Sequence, residues 1–166
     1  MIEIRPEQPG DIPAIREVNR RAFGQDQEGH IVDALRANGA AVLSLVAAVD
    51  GRVVGHVIYS PLLVGGVQGA ALGPMAVLPE HQHRGVGTSL VEAGNGQLRH
   101  DGCAFIAVLG HPTFYPRFGF RPASIYGITC EWNVPDDVFM MLVLDEPKMS
   151  GVVGMAEFRT EFSTVA

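Results

Sequence analysis

Six residues near the middle of the chain, Gln82-His83-Arg84-Gly85-Val86-Gly87, join a cation, hydrogen-bonding side chains and two glycines where an apolar strand gives way to a helix. The first amides of a helix lack internal partners and sit at the positive end of its dipole. Anionic oxygens are held at such ends. Gly85 and Gly87 carry no Cβ to keep a phosphate off the backbone, and Arg84, with His81 and His83, adds positive charge locally. These features point to a pyrophosphate cradle. Three other cradles and elbows do not fit. A Walker A loop needs GxxxxGK[ST], and no lysine stands near this turn. A dinucleotide fingerprint needs a third glycine where Leu90 is found. No serine has G-x-S-x-G flanks.

Other residues of chemical interest carry two readings each. Tyr115 lies among Phe114, Phe118 and Phe120, which on its own describes a packing aromatic. His111 is either an acid–base group or a loop histidine capping a helix before Pro112. His56, inside an apolar strand, reads as a hydrogen-bonded structural histidine. Trp132 either stacks on a substrate or closes the end of the sheet. Cys103 reads as a small core residue, and Cys130 has no basic neighbour to activate it. Asp26, Glu28 and Asp33 flank one helix, where a solvated face is the ordinary reading.

The elements that must position these groups follow from periodicity. Ile2 and Ile4 alternate with charge in a first strand, and Pro9-Gly10-Asp11 breaks it. Asp11 is expected to cap a helix reaching Phe23, with Ile12, Ile15, Val18 and Ala22 on one face. A second helix is predicted over Glu28–Ala37 and ends at Asn38-Gly39. Strands over Ala41–Val49 and Arg52–Ser60 are joined by Asp50-Gly51, a hairpin signal. A third strand, Ala70–Val77, contains Gly73-Pro74, where proline removes a donor and a bulge or lost pairing is expected. The helix after the cradle is predicted from Gly85 to about His100. Its glycines at 94 and 96, each costing roughly 0.8–1 kcal/mol relative to alanine, are expected to fray or kink it. Further strands are read at Cys103–Leu109, Val138–Leu144 and Gly151–Phe158, with a short aromatic helix or turn at Thr113–Phe118. This is an α+β pattern around one largely antiparallel sheet.

The chain has 166 residues, 47% hydrophobic and 18% charged, which suits one folded domain and excludes intrinsic disorder. Its 12 basic and 18 acidic residues leave a net charge of −6, the wrong sign for wrapping nucleic acid. Two distant cysteines make neither a disulfide framework nor a four-ligand zinc site, and no metal is expected. No basic segment followed by an apolar run opens the chain, and no stretch nears the ~20 apolar residues that span a bilayer. The expected compartment is the cytoplasm, without a membrane partner.

The pattern Q/R-x-x-G-x-G/A, met by Gln82, Arg84, Gly85 and Gly87, resembles motif A of the GNAT superfamily of N-acetyltransferases. Met75-Ala76-Val77-x-Pro79 resembles that family's acetyl-CoA strand. Gly110-His111-Pro112 with Tyr115-Pro116-Arg117-Phe118-Gly119-Phe120 is similar to the passage found in its YhbS-like branch. The resemblance implies a GNAT fold over residues 1–166: a mixed, mostly antiparallel sheet with a V-shaped splay, flanked by helices. Residues 146–166 would form a C-terminal extension or an extra strand of the same domain. It also implies transfer of an acetyl group from acetyl-CoA, the cosubstrate, to an amine on a small molecule or peptide, and it is compatible with a homodimer.

The cofactor would lie against Met75, Ala76, Val77, Gln82, His83, Arg84, Gly85, Val86, Gly87, Thr88 and Tyr115. Pantetheine would take backbone bonds from Val77. The Met75 N–H would point at the thioester oxygen, where negative charge grows. Tyr115 would hydrogen-bond or protonate the leaving thiolate. The Leu72–Val77 strand has no carboxylate to take the amine proton, so the base stays open among Glu28, His111 and water. Glu28 enters because the family places its first two helices beside the acceptor. The alternative is a non-catalytic acyl-CoA-binding regulatory module.

Overall fold

The computed structural model describes residues 1–163. The chain opens with β1 (Ile2–Pro6), then α1 (Ile12–Phe23) and α2 (Gln27–Ala37). α1 buries Ile15 and Val18, and α2 buries Ile31, Val32 and Leu35, spacings that keep each set on one helical face. α1 begins directly after Asp11, as expected, but the Asp11 side chain makes no capping bond to it. Its carboxylate accepts the Gln8 N–H at 2.7 Å and both Arg5 guanidinium nitrogens at 2.7 and 3.0 Å, closing the preceding 3-10 turn. Those hydrogen bonds with Arg5 outweigh burial and lower the Asp11 pKa.

A meander follows: β2 (Leu43–Val49), β3 (Arg52–Val64) and β4 (Val67–Val77). Asp50 and Gly51 both take positive φ, 51° and 78°, as a two-residue hairpin turn of this hand requires. α3 (Val86–His100) crosses over to β5 (Phe105–Leu109), which joins β4 in parallel. Two-residue strands β6 (Arg121–Pro122) and β7 (Ile128–Thr129) precede β8 (Phe139–Val143), α4 (Glu146–Met149) and β9 (Gly154–Met155). The main sheet runs β1-β2-β3-β4-β5-β8-β6, antiparallel except at β4–β5, and β7 pairs with β9 in a small second sheet. The last expected strand, Gly151–Phe158, shrinks to Gly154–Met155. Residues beyond it bond instead to Leu63 and then turn through Thr160–Phe162.

Helices cover both faces of the sheet. On β3, Gly55 and Tyr59 face α3. A Cβ on Gly55 would stand 2.9 Å from Val86 Cγ1. α3 runs unbroken through Gly94 and Gly96, against the expected fray. A side chain at 94 would collide with the Tyr59 ring, whose hydroxyl donates to Asn95 Oδ1 at 2.9 Å. Glycine there lets strand and helix approach, and packing offsets its poor helix propensity.

His56 points to the opposite face, toward the side of α2. It is fully buried, with Nε2 2.8 Å from Ser44 Oγ and 3.5 Å from Glu7 Oε1. Burial pushes its pKa down, so the ring is neutral, the structural role expected for it. Burial alone would raise Glu7. Hydrogen bonds from Arg36, His56 and Ser44 outweigh it and hold that carboxylate well below the usual range.

Candidate active site

β4 and β5 pair only at Ala70–Ile106 and Ala71–Ala107. Beyond that point each strand is kept by its other neighbour. β4 stays on β3 as far as Val77, and β5 stays on β8 as far as Leu109. The two strands therefore part, and a cleft of about 1140 Å³ opens between them. The register of β3 against β4 slips between Val57–Met75 and Tyr59–Leu72, so Gly73-Pro74 forms the bulge anticipated there. Leu78 donates its N–H to Val54 O at 2.8 Å, on the β3 side. Since successive strand residues alternate, Met75 and Val77 turn their backbone groups to the cleft, while proline at 74 has no N–H to offer.

The glycine turn closes one end of this cleft. His83 and Gly85 both take left-handed backbone, φ 62° and 86°. Such alternation turns successive N–H groups into one concavity, a shape that binds anions. A Cβ on Gly85 would meet nothing within 4 Å, so the space above the turn is open. Gly87 also faces the cleft, where a Cβ would stand 3.6 Å from both Met75 Cε and Phe114 Cζ, in ordinary contact with two other lining residues. The Gln82 side chain donates to Val77 O at 3.0 Å, which ties the turn to the strand end and leaves the Val77 N–H for a ligand. Arg21 holds the preceding turn through Glu80 at 3.0 Å. A phosphate-bearing ligand with amide carbonyls fits this arrangement: open space over Gly85, left-handed amides beneath it, and outward strand N–H groups leading away.

Of the expected site residues, Met75, Ala76, Val77, Gln82, His83, Gly85, Gly87, Thr88, His111, Tyr115 and Glu28 all line the cleft. Two do not. The Val86 side chain is buried in the core under Gly55, so only its backbone can serve the turn. Arg84 is exposed and stands outside the lining, carrying its charge beside the cleft and not in it.

Tyr115 is 6% exposed and wedged edge-to-face between Phe114, at 5.0 Å, and Phe120, at 5.7 Å. Its ring presses so closely on Gly110 that a side chain at 110 would overlap it. Burial pushes the Tyr115 pKa up to about 12, so the hydroxyl keeps its proton and is able to donate it. His111 heads the same loop, and its carbonyl accepts the Phe114 N–H at 3.1 Å. Glu28 opens α2, half-buried, and accepts from the Gln25 side-chain amide at 3.1 Å.

Several cleft residues carried no local signal. Phe23 ends α1, and Phe158 and Phe162 come from the C-terminal segment. Trp132 stacks behind Phe158 at 4.9 Å, so it supports the lining without forming it. Arg117 lies over the Phe114 ring at 4.6 Å. Among the described residues no group of three or more His, Cys, Asp or Glu is set to hold a metal. No helix among them is long and apolar enough to cross a membrane.

A family model described as "Acetyltransferase (GNAT) family" matches residues 12–120, and the chain belongs to that family. Escherichia coli (strain K12) Uncharacterized N-acetyltransferase YhbS is 36% identical over 163 residues, 96% of this chain and 98% of that protein. The crystal structure of YhbS from Escherichia coli in complex with CoA superposes with a TM-score of 0.93 at 35% identity, covering 98% of this chain and 92% of that one. A GNAT family acetyltransferase from Brucella melitensis in complex with acetyl-CoA gives a TM-score of 0.81 at 37% identity, covering 98% of each chain.

Proposed function

We propose that this chain is an acetyl-CoA-dependent N-acetyltransferase that acts by direct attack of an amine on the bound thioester. The observation that carries the reading is the parting of β4 from β5 after Ala71, which turns the backbone of Met75 and Val77 into a cleft ending on the left-handed glycine turn. Unpaired strand amides are costly unless something pairs with them, and the amides of a pantetheine arm can do so as an added strand would. The crystallised relatives that hold CoA and acetyl-CoA support the same ligand.

In this reading the turn at 82–87 holds the pyrophosphate, and the Val77 N–H aligns the arm. The Met75 N–H donates to the thioester oxygen as charge builds on it. The amine nitrogen forms its bond to the acyl carbon as the carbon–sulfur bond breaks, and the sulfur keeps that electron pair. One proton leaves the amine toward Glu28, His111 or water. One reaches sulfur from Tyr115, whose raised pKa keeps it in the donating form.

The test is thiol release from acetyl-CoA with a panel of amines, alongside calorimetry of acetyl-CoA binding. Amine-dependent thiol release supports the enzyme. Tight binding with no release from any amine would favour the regulatory, non-catalytic module. Absence of binding would overturn both.

A further inference from the structure

The acidic net charge of the chain invites a polycationic acceptor, yet the cleft does not share that acidity. Glu28 is the one carboxylate lining it among the described residues, and its neighbour is the neutral Gln25 amide at 3.1 Å. Of the carboxylates outside the lining, Glu80 is paired with Arg21 at 3.0 Å, Asp33 with Arg16 and Arg36 at 3.0 Å each, and Glu161 with Arg159 at 2.8 Å, while Asp26 lines a separate pocket with Arg16 and Arg20. The same pairs occupy the arginines that an acceptor carboxylate would need. Arg117 lies over Phe114, which packs toward Gly87, so its charge belongs to the glycine-turn side.

What the lining offers beside Glu28 is aromatic. Phe23 is 40% exposed at the end of α1, two residues before Gln25. Phe158 and Phe162 meet edge-to-face at 5.8 Å, and both line the cleft. They are held from two sides. Phe158 rests on Trp132 at 4.9 Å and Phe139 at 6.1 Å, in the C-terminal core. Phe162 packs on the core that α2 shares, with Asn38 donating to Glu161 Oε2 at 2.8 Å. The C-terminal segment is thus strapped from β8 to α2 across the cleft face, with its rings turned in. It lies outside the matched family region, which ends at residue 120.

Resting on the acetyltransferase reading above, we propose that the acceptor is a primary monoamine on an apolar, aryl-type body: its nitrogen at Glu28, its ring against Phe23, Phe158 and Phe162. One carboxylate satisfies one ammonium, whereas a second or third cation would be desolvated without a partner. An exposed aromatic at the mouth gains from being covered, and edge-to-face ring contacts add geometry to that gain. An amino acid is disfavoured because its α-carboxylate would sit beside the Glu28 carboxylate, and Arg117, the one arginine of the lining among the described residues, lies over the Phe114 ring.

The experiment compares kcat/KM for 2-phenylethylamine, n-propylamine, spermidine and free phenylalanine in the thiol-release assay, each corrected to the neutral-amine fraction. The aryl amine is expected to exceed each of the others by at least about tenfold, the scale on which apolar pockets discriminate. Phe162→Ala, and separately the exposed Phe23→Ala, should collapse the ratio of aryl to propyl amine by about tenfold, mainly through KM. The Phe23 variant guards against a Phe162 variant that fails to fold. A preference for spermidine or phenylalanine, or Phe variants that lower every amine equally, overturns the acceptor class. If acetyl-CoA binds but no amine releases thiol, NMR titration of the protein with 2-phenylethylamine and spermidine decides separately. Selective, Glu28-dependent binding of the aryl amine keeps the class while the enzyme reading fails, and equal or absent binding overturns the class as well.

Discussion

The two ends of the cleft are built by different means. The glycine-turn end is local and made of backbone: residues 75–88 supply strand N–H groups, two left-handed residues and the first amides of α3. The other end, where we propose the acceptor binds, is made of side chains drawn from α1, α2 and a segment more than 120 residues downstream, pinned by the Asn38–Glu161 bond. Backbone amides offer the same chemistry whatever the neighbouring side chains, so that end suits a ligand with an invariant phosphate and amide skeleton. Side chains can be exchanged one by one, so on the proposed reading the other end is where a substrate preference would be written. Tyr115 lines the same cleft, buried among aromatics on the loop after β5.

That contrast can be broken by single substitutions. Tyr115→Phe keeps the ring and removes only the hydroxyl. Its kcat should fall by roughly 10²–10⁴-fold, with acetyl-CoA affinity little changed, measured by steady-state kinetics and calorimetry. A Tyr115 that only packs would leave kcat where it was. The pH profile gives a second check. With its pKa raised from 10 to about 12, Tyr115 loses its proton only as pH rises through the raised value. No alkaline fall in kcat due to this group is therefore expected near pH 10.

Gly85→Val attacks the backbone end. A β-branched residue at φ 86° is strained, and its side chain fills the open space above the turn. Acetyl-CoA binding should weaken by about 100-fold, equivalent to ~2.7 kcal/mol, in calorimetry on protein whose circular dichroism shows it folded. An unchanged affinity would remove the phosphate from this turn.

Glu28→Gln acts on the side-chain end and should leave the glycine turn alone. Amine KM should rise by about tenfold if the carboxylate only anchors the ammonium. If it is also the base, kcat/KM should fall and the activity that remains should shift to higher pH. Wild-type kinetics across the pH range would pass the role of base to His111 or water. The smallest effect is expected from Arg84→Ala. Its exposed side chain stands outside the lining, so acetyl-CoA affinity should drop only about threefold, in keeping with the modest worth of exposed charges. A hundredfold loss there would mean that the turn works by its side chains after all.

Much of this was legible in the order of residues, because it depends on local conformation. The Asp50-Gly51 hairpin, the helical faces of α1 and α2, the strand–turn–helix around Gly85 and the bulge at Gly73-Pro74 all follow from propensities and spacings within a few residues. Met75, Val77, Gly85, Tyr115 and Glu28 were placed together by resemblance, and all of them line one cleft. Tertiary structure decided the rest. Whether Asp11 caps a helix or binds Arg5, and whether Gly94 kinks α3 or admits Tyr59, depends on groups that a local pattern does not contain. The inward burial of Val86 and the outward exposure of Arg84 depend on how α3 docks against Gly55. The aromatic wall is the fullest case. Phe23, Phe158 and Phe162 have no spacing that relates them, and they line one cleft only because α1, α2, β8 and the C-terminal segment are brought together on a sheet that the whole chain must first assemble.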